Sequence, residues 1–239
     1  MIDVQIIPIL EDNYAYLLQA DDGTTAIVDP GEASPIMDVL KERDLTLDYV
    51  INTHHHWDHT DGNEELMERY GAQLVAPAAE AEKISKVDIK LAERDVFMLG
   101  EDRLETFETP GHTAGHICLY APESKVVFTG DTLFLMGCGR LFEGTAKQMW
   151  NSFQKLKTLP DETKIYCGHE YTLSLGEFCL RIEPENEDLR TRLKTVRDLR
   201  AHNKPTIPGT MGEEKRTNLF MRAESPERFA EIRRLRDNS

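Results

Sequence analysis

The chain has 239 residues, which suits one large α/β domain, alone or with a smaller appendage. No apolar run, residues 6–10 included, approaches the length needed to span a bilayer, so no membrane partner is expected. A formal net charge of −15 argues against broad nucleic-acid binding. It leaves room for an anionic substrate where metal ions and a few arginines dominate one cleft.

The first residues, Met1-Ile2-Asp3-Val4, read straight into a strand and carry no signal-peptide pattern. Residues 4–10, 14–19 and 25–29 are predicted strands, separated by turn signals at Asp12-Asn13 and Asp21-Asp22-Gly23. Residues 35–42 read as a helix, and 47–52 as a buried, β-branched strand that ends at a histidine cluster. A helix is predicted from about Asp61-Gly62-Asn63 to Tyr70, with Asp61 as its cap and Gly71 as its stop. Residues 73–76 form a strand, and 78–86 carry only a weak signal. Further strands are predicted at 96–99, 104–108, 117–120, 125–129 and 164–167, with an amphipathic helix over 145–159. After Tyr171 the strand signals fade. Residues 173–182, 187–203 and 226–235 read as helices, and 204–212 as a Pro/Gly loop. The expected division is residues 1–172 and 173–239. Cys118, Cys138, Cys167 and Cys179 lack metal or disulfide spacing, so free thiols and a cytoplasmic location are expected. A monomer is the default.

Four of the eight histidines fall within Thr53-His54-His55-His56-Trp57-Asp58-His59. On an extended chain, side chains at i and i+2 share a face. His54 and His56 can therefore grip one ion while His55 points away. A tight turn can bring Asp58 and His59 to a second ion. Imidazole with carboxylate suits zinc, iron or manganese. Three more candidate ligands sit beside glycines at strand ends: Gly111-His112, Gly130-Asp131 and Gly168-His169. Strand ends are where sites gather in layered α/β proteins. Of the neighbours, His116 suits a supporting role behind the ligands. Trp57 suits a wall, and His202 a polar helix end. Gly111-His112-Thr113-Ala114-Gly115 has the outline of a nucleophile elbow, but threonine at its centre and no base argue against it. Gly137 and Gly139 lack the third glycine of a phosphate loop.

This order of motifs resembles the metallo-β-lactamase superfamily. The resemblance implies an α/β fold, an αββα sandwich with the site at one edge of the paired sheets, followed here by a C-terminal helical domain. It implies two divalent metal ions, zinc first, with iron or manganese as alternatives. The first would take His54, His56 and His112, and the second Asp58, His59 and His169, with Asp131 bridging. Two ions about 3.5–4 Å apart lower a water's pKa toward ~7, giving a hydroxide that attacks an acyl carbonyl. Asp58 and Asp131 are expected to position the ions and that hydroxide.

Residues 137–145 (Gly-Cys-Gly-Arg-Leu-Phe-Glu-Gly-Thr), Cys167-Gly168-His169-Glu170-Tyr171-Thr172 and Lys204-Pro205-Thr206-Ile207-Pro208 narrow the resemblance to the glyoxalase II (hydroxyacylglutathione hydrolase) family. It covers essentially the whole chain. It implies hydrolysis of S-D-lactoylglutathione and other 2-hydroxyacyl-glutathione thioesters to glutathione and D-lactate, the second step of methylglyoxal detoxification. Arg140, Phe142, Tyr171, Arg233 and Arg236 match positions that would bind the glutathione half, whose carboxylates suit guanidinium forks. Two departures bear on that half. Phe142 stands where the family often has an aromatic hydroxyl, a hydrogen bond worth about 0.5–1.5 kcal/mol. Asn218-Leu219-Phe220 stands where the family often has Asn-Pro-Phe. The rival readings are a one-iron glutathione persulfide dioxygenase and a lactone or β-lactam hydrolase on the same fold.

Overall fold

The computed structural model describes residues 1–239. The first part of the chain builds β1 (Asp3–Ile9), β2 (Asn13–Gln19), β3 (Thr25–Val28), α1 (Ser34–Glu42), β4 (Tyr49–Ile51), α2 (Trp57–Thr60), α3 (Asn63–Tyr70), β5 (Gln73–Pro77) and β6 (Ile89–Leu91). Its strands lie in chain order in one sheet, antiparallel from β1 to β3 and parallel from β3 to β6. Strand β2 is apolar along most of its length because both of its faces are covered. Tyr14, Tyr16 and Leu18 join the central core. Ala15 and Leu17 pack on the other side with Ile36 and Leu40 of α1 and Leu66 of α3.

The chain continues through β7 (Val96–Leu99), β8 (Asp102–Glu108), β9 (Ile117–Ala121), β10 (Val126–Gly130), β11 (Leu133–Phe134), β12 (Gly137–Cys138), α4 (Ala146–Lys157) and β13 (Lys164–Cys167). It ends with α5 (Thr172–Ile182), α6 (Glu187–Ala201), β14 (Gly209–Thr210), α7 (Met211–Thr217) and α8 (Pro226–Asp237). The second sheet runs β14-β13-β10-β9-β8-β7, and β11 with β12 forms a separate hairpin. Helix α4 starts at a capping box between Thr145 and Gln148 and buries Met149, Phe153 and Leu156, spaced i, i+4, i+7. The two sheets stack face to face with helices outside, the αββα sandwich with a helical C-terminal segment. Phe178, Leu193, Phe220 and Phe229 of that segment belong to the same apolar cluster as the second sheet. No helix is long and apolar enough to cross a membrane.

The predicted helix ending at Tyr70, with Gly71 as its stop, is α3, but the expected cap at residue 61 is corrected. Two helices meet there: Asp61 closes α2, and Gly62 is the N-cap of α3, which has no side-chain cap. Gly62 packs against Pro30, where an added Cβ would lie 2.5 Å from the Pro30 carbonyl oxygen. Strands β6, β11, β12 and β14 and helix α7 were not predicted. Helix α7 lies where the Pro/Gly loop ends, yet it has a capping box between Thr210 and Glu213, a signal present in the sequence.

A buried polar network fastens the helical segment to the β11–β12 hairpin. Glu214 accepts hydrogen bonds from Met136 N and Asn218 Nδ2, both at 2.8 Å, and pairs with Arg192 at 2.5 Å. Asn218 Nδ2 also donates to the Gly137 carbonyl at 3.0 Å. Its Oδ1 accepts from Phe220 N at 2.9 Å. Asn218→Ala strands these groups without partners. It is expected to cost about 1–3 kcal/mol, read as a lower urea midpoint at unchanged slope.

Candidate metal centre

Each candidate ligand follows a strand. His54 and His56 follow β4, and a single turn of α2 carries Asp58 and His59 back toward them. His112 follows β8, Asp131 follows β10 and His169 follows β13. Strands β4, β8, β10 and β13 thus deliver their C-terminal ends to one edge of the sandwich. Glycines permit the close approach. Gly130 adopts φ 43°, and a Cβ on Gly168 would lie 2.4 Å from Asp131 Oδ1.

The ligand atoms gather into two triads. His56 Nδ1 lies 3.2 Å from His54 Nε2 and 2.9 Å from His112 Nε2. Asp58 Oδ2 lies 3.5 Å from His59 Nε2 and 3.4 Å from His169 Nε2. Asp131 stands between them, Oδ1 3.4 Å from His59 Nε2, and Oδ2 3.4 Å from His112 Nε2 and 3.3 Å from His169 Nε2. Ligands about 2.0–2.1 Å from a tetrahedral ion are about 3.3–3.4 Å from each other, so these separations fit cation coordination. His59 Nε2 and Asp131 Oδ1 are buried with no hydrogen-bond partner, which leaves both free as ligand atoms.

The opposite nitrogens are engaged. His169 Nδ1 donates to Asp12 Oδ1 at 2.8 Å, His59 Nδ1 to Asp29 Oδ2 at 3.1 Å, and His112 Nδ1 to the Arg140 carbonyl at 2.9 Å. Thr53 Oγ1 donates to Asp29 Oδ2 at 2.7 Å and so accepts from His54 Nδ1 at 3.0 Å. These bonds direct four Nε2 lone pairs into the centre. Asn13 Nδ2 donates to Asp58 Oδ2 at 3.0 Å, and His116 Nε2 accepts from the Asp131 backbone at 3.1 Å. Asp12, Asn13 and Asp29 were missed as site residues. They read as turn and strand-end positions, and the signal available was the need of a ligating histidine for a carboxylate on its other nitrogen.

Electrostatics divide the imidazoles. Burial and the neighbouring rings push His54 and His116 well below the ordinary histidine range. Burial also opposes charge on His59 and His169, but Asp131 with Asp29 or Asp12 outweighs it. His59 is raised well above its usual value, and His169 is pushed up to about 9. The carboxylates therefore call for positive charge in the centre. Cations binding there displace these protons.

The centre opens into a cleft of about 690 Å³ whose walls include Arg140, Phe142, Tyr171, Arg233 and Arg236. Tyr171 stacks on His169, with ring centroids 4.6 Å apart and planes 4° from parallel. Phe142 is 63% exposed, with its ring 5.3 Å from that of His112, and Trp57 is equally exposed on the cleft wall. Arg236 reaches Ser174 Oγ at 3.4 Å. Burial, then like charge from Arg233, Arg181 and Arg140, lowers its pKa, which marks a cationic wall. Arg233 also lines the cleft and is 6% exposed, and its Nε has no hydrogen-bond partner. Its Nη1 donates to the Cys138 carbonyl at 2.9 Å and its Nη2 pairs with Asp237 at 2.8 Å. His55 turns away to Glu80 at 2.8 Å, and His202 is exposed on a helix end.

This fold, with paired His/Asp triads at its edge, defines a metallo-β-lactamase superfamily chain, and the profile described as "Metallo-beta-lactamase superfamily" matches residues 9–169. A second profile, "Hydroxyacylglutathione hydrolase C-terminus", matches residues 170–239. The chain belongs to the hydroxyacylglutathione hydrolase family. It is 43% identical over 237 residues to the hydroxyacylglutathione hydrolase of Pelagibacter ubique, covering 99% of both chains. It is 46% identical over 226 residues to that of Ruegeria pomeroyi, covering 94% of this chain and 89% of the relative. Among solved structures, ETHE1 from Myxococcus xanthus superposes with a TM-score of 0.74 at 27% identity, covering 98% of this chain and 90% of that one.

Proposed function

We propose that this chain hydrolyses S-D-lactoylglutathione and related 2-hydroxyacyl-glutathione thioesters to glutathione and D-lactate, the second step of methylglyoxal detoxification. The observation that carries this reading is Asp131 shared between two triads at the floor of a cleft walled by Arg140 and Arg236. His54, His56 and His112 would hold one divalent cation, and Asp58, His59 and His169 the other, with Asp131 offering an oxygen to each. Zinc is the proposed occupant, since this donor mix suits it alongside iron and manganese. Bound cations supply Lewis acidity, which makes a water nucleophilic near neutral pH and draws charge from the acyl oxygen.

The chain's own groups do the rest. Asp58, held by Asn13, and Asp131, held through its backbone by His116, orient the attacking water. The water oxygen loses a proton and bonds to the acyl carbon, the carbon–sulfur bond breaks with its electron pair going to sulfur, and the released proton goes to the thiolate or to solvent. The departing thiolate needs no dedicated acid, since thiol pKa values lie near ~8.5. Arg140, Tyr171, Arg236 and Phe142 are the proposed contacts of the glutathione half, with residues 173–239 as its binding segment. Arg233 is proposed as a further contact, and its Nη1 also holds the Cys138 carbonyl. Four buried free cysteines fit a reducing compartment, and a cytoplasmic site is proposed.

The test is hydrolysis of S-D-lactoylglutathione by zinc-loaded protein beside the same acyl group on a truncated thiol. Strong preference for the glutathione thioester is expected, and equal slow turnover of both would discard the glutathione assignment. Arg236→Ala removes a charged hydrogen-bond donor from substrate. It is expected to raise KM about tenfold or more with kcat within about twofold.

A further inference from the structure

Three loops without regular secondary structure converge on the first triad. One carries His54 and His56, one carries His112, and one carries Arg140 and Phe142. They are joined by two carboxylates outside the two triads. Glu80, 1% exposed, accepts from the backbone N–H of His55 at 2.7 Å and from its Nδ1 at 2.8 Å. Its other oxygen accepts from Gly115 N at 2.9 Å. One carboxylate thus holds the first loop to the second. Glu143, on the third loop, accepts from Ala114 N at 2.8 Å, and its own N–H donates to the His112 carbonyl at 3.3 Å. His55 Nε2 lies 3.5 Å from the same glutamate. The packing is tight. A Cβ on Gly115 would stand 2.6 Å from Glu80 Cγ, and one on Gly144 2.6 Å from Gly111 Cα.

Taken alone, His55, Glu80 and Glu143 look like a third cation site. The bonding argues otherwise. The two nitrogens of His55 face different carboxylates, Glu80 is filled by three donors, and Lys83 Nζ sits 2.8 Å from Glu143. We infer that Glu80, His55 and Glu143 form a brace that positions the first triad, His54, His56 and His112, for its cation. Glu80 pins His55 outward by both backbone and ring. On either side of a residue so fixed, His54 and His56 are turned together toward the centre. Glu80 and Glu143 then set the distance from that pair to His112. The second triad hangs on Asp12 and Asn13, while Asp29, which reaches His59 directly and His54 through Thr53, lies outside the brace. The brace therefore acts on one cation and not on both. This inference rests on the triads being cation ligands.

The experiment is zinc binding by the full chain, in competition with a chromophoric chelator, for wild type, Glu80→Gln, Glu143→Gln and Asp12→Asn. Wild type is expected to hold two zinc ions. Each glutamate variant is expected to weaken one of them about 10–100-fold and leave the other unchanged. Asp12→Asn is expected to weaken the other one, so that Glu143→Gln combined with Asp12→Asn weakens both. A general loss of folding would lower both affinities together in the glutamate variants. That result, or unchanged binding in both, overturns the brace while leaving the ligand reading intact. Fewer than two zinc ions on wild type overturns the ligand reading and the brace with it. Glu143, on the exposed side, keeps the test open if Glu80→Gln does not fold.

Discussion

Asp131→Asn is expected to leave the chain folded, to lower its zinc content below two per chain, and to cut thioester turnover by about 10³-fold or more. The side chain is buried, its Oδ1 has no hydrogen-bond partner, and its two oxygens face imidazole nitrogens of both triads. An amide has the same shape but no charge, and only one of its two terminal atoms can act as a ligand. Without zinc, its NH₂ can donate to an imidazole lone pair, so the fold survives. With zinc, the NH₂ points at one cation and loses it. The charge that lifts His59 and His169 also goes, so both imidazoles fall back toward the ordinary range in the zinc-free chain. Histidine NMR titration reads that shift separately from activity. A variant that holds two zinc ions and turns over within about tenfold of wild type would remove Asp131 from the bridging position.

Much of the fold could be read from residue patterns. Val96–Leu99 and Lys164–Cys167 match their predicted bounds. Strand β2 and helix α4 announce themselves through burial on two faces and an i, i+4, i+7 stripe. The missed elements are those whose shape depends on the rest of the molecule. Helix α2 is one turn long and forms where Asp58 and His59 must swing round to the second triad. The β11–β12 hairpin has two residues per strand and is held by Glu214 of α7 and by Asn218 just after it. The candidate ligands were legible because histidines and glycines gather at strand ends. Their supports were not. Asp12 meets His169 across 157 positions, and Glu80 meets Gly115 across 35, so nothing local distinguishes either from an ordinary acidic residue. Arg233 lines the cleft and also carries contacts that its motif does not announce. Its motif position implies a substrate contact, and its hydrogen bonds also tie it to Cys138 and Asp237.

Asp29→Asn carries the second large expectation, because one buried carboxylate sets the proton positions of both triads. Asp29 is 3% exposed and sits at φ 51°, a conformation asparagine also tolerates, so the backbone has no reason to change. Its Oδ1 accepts from Thr53 N at 2.8 Å, and its Oδ2 from Thr53 Oγ1 at 2.7 Å and His59 Nδ1 at 3.1 Å. An asparagine must keep its oxygen on the Thr53 N–H, since turning its NH₂ there would set donor against donor in a buried site. The NH₂ then faces His59 Nδ1 and the Thr53 hydroxyl. A donor at His59 Nδ1 moves the imidazole proton to Nε2, the atom aimed at the second cation. The Thr53 hydroxyl, now an acceptor from the amide, turns its own hydrogen to His54 Nδ1, which moves that proton to Nε2 and into the first triad. Both zinc affinities are expected to fall, each by about 10–100-fold. Nitrogen NMR of the zinc-free variant is expected to show Nε2–H at His54 and His59 together. A variant with both affinities unchanged, or with only His59 altered, would break the link through Thr53 and leave the two triads independently tuned.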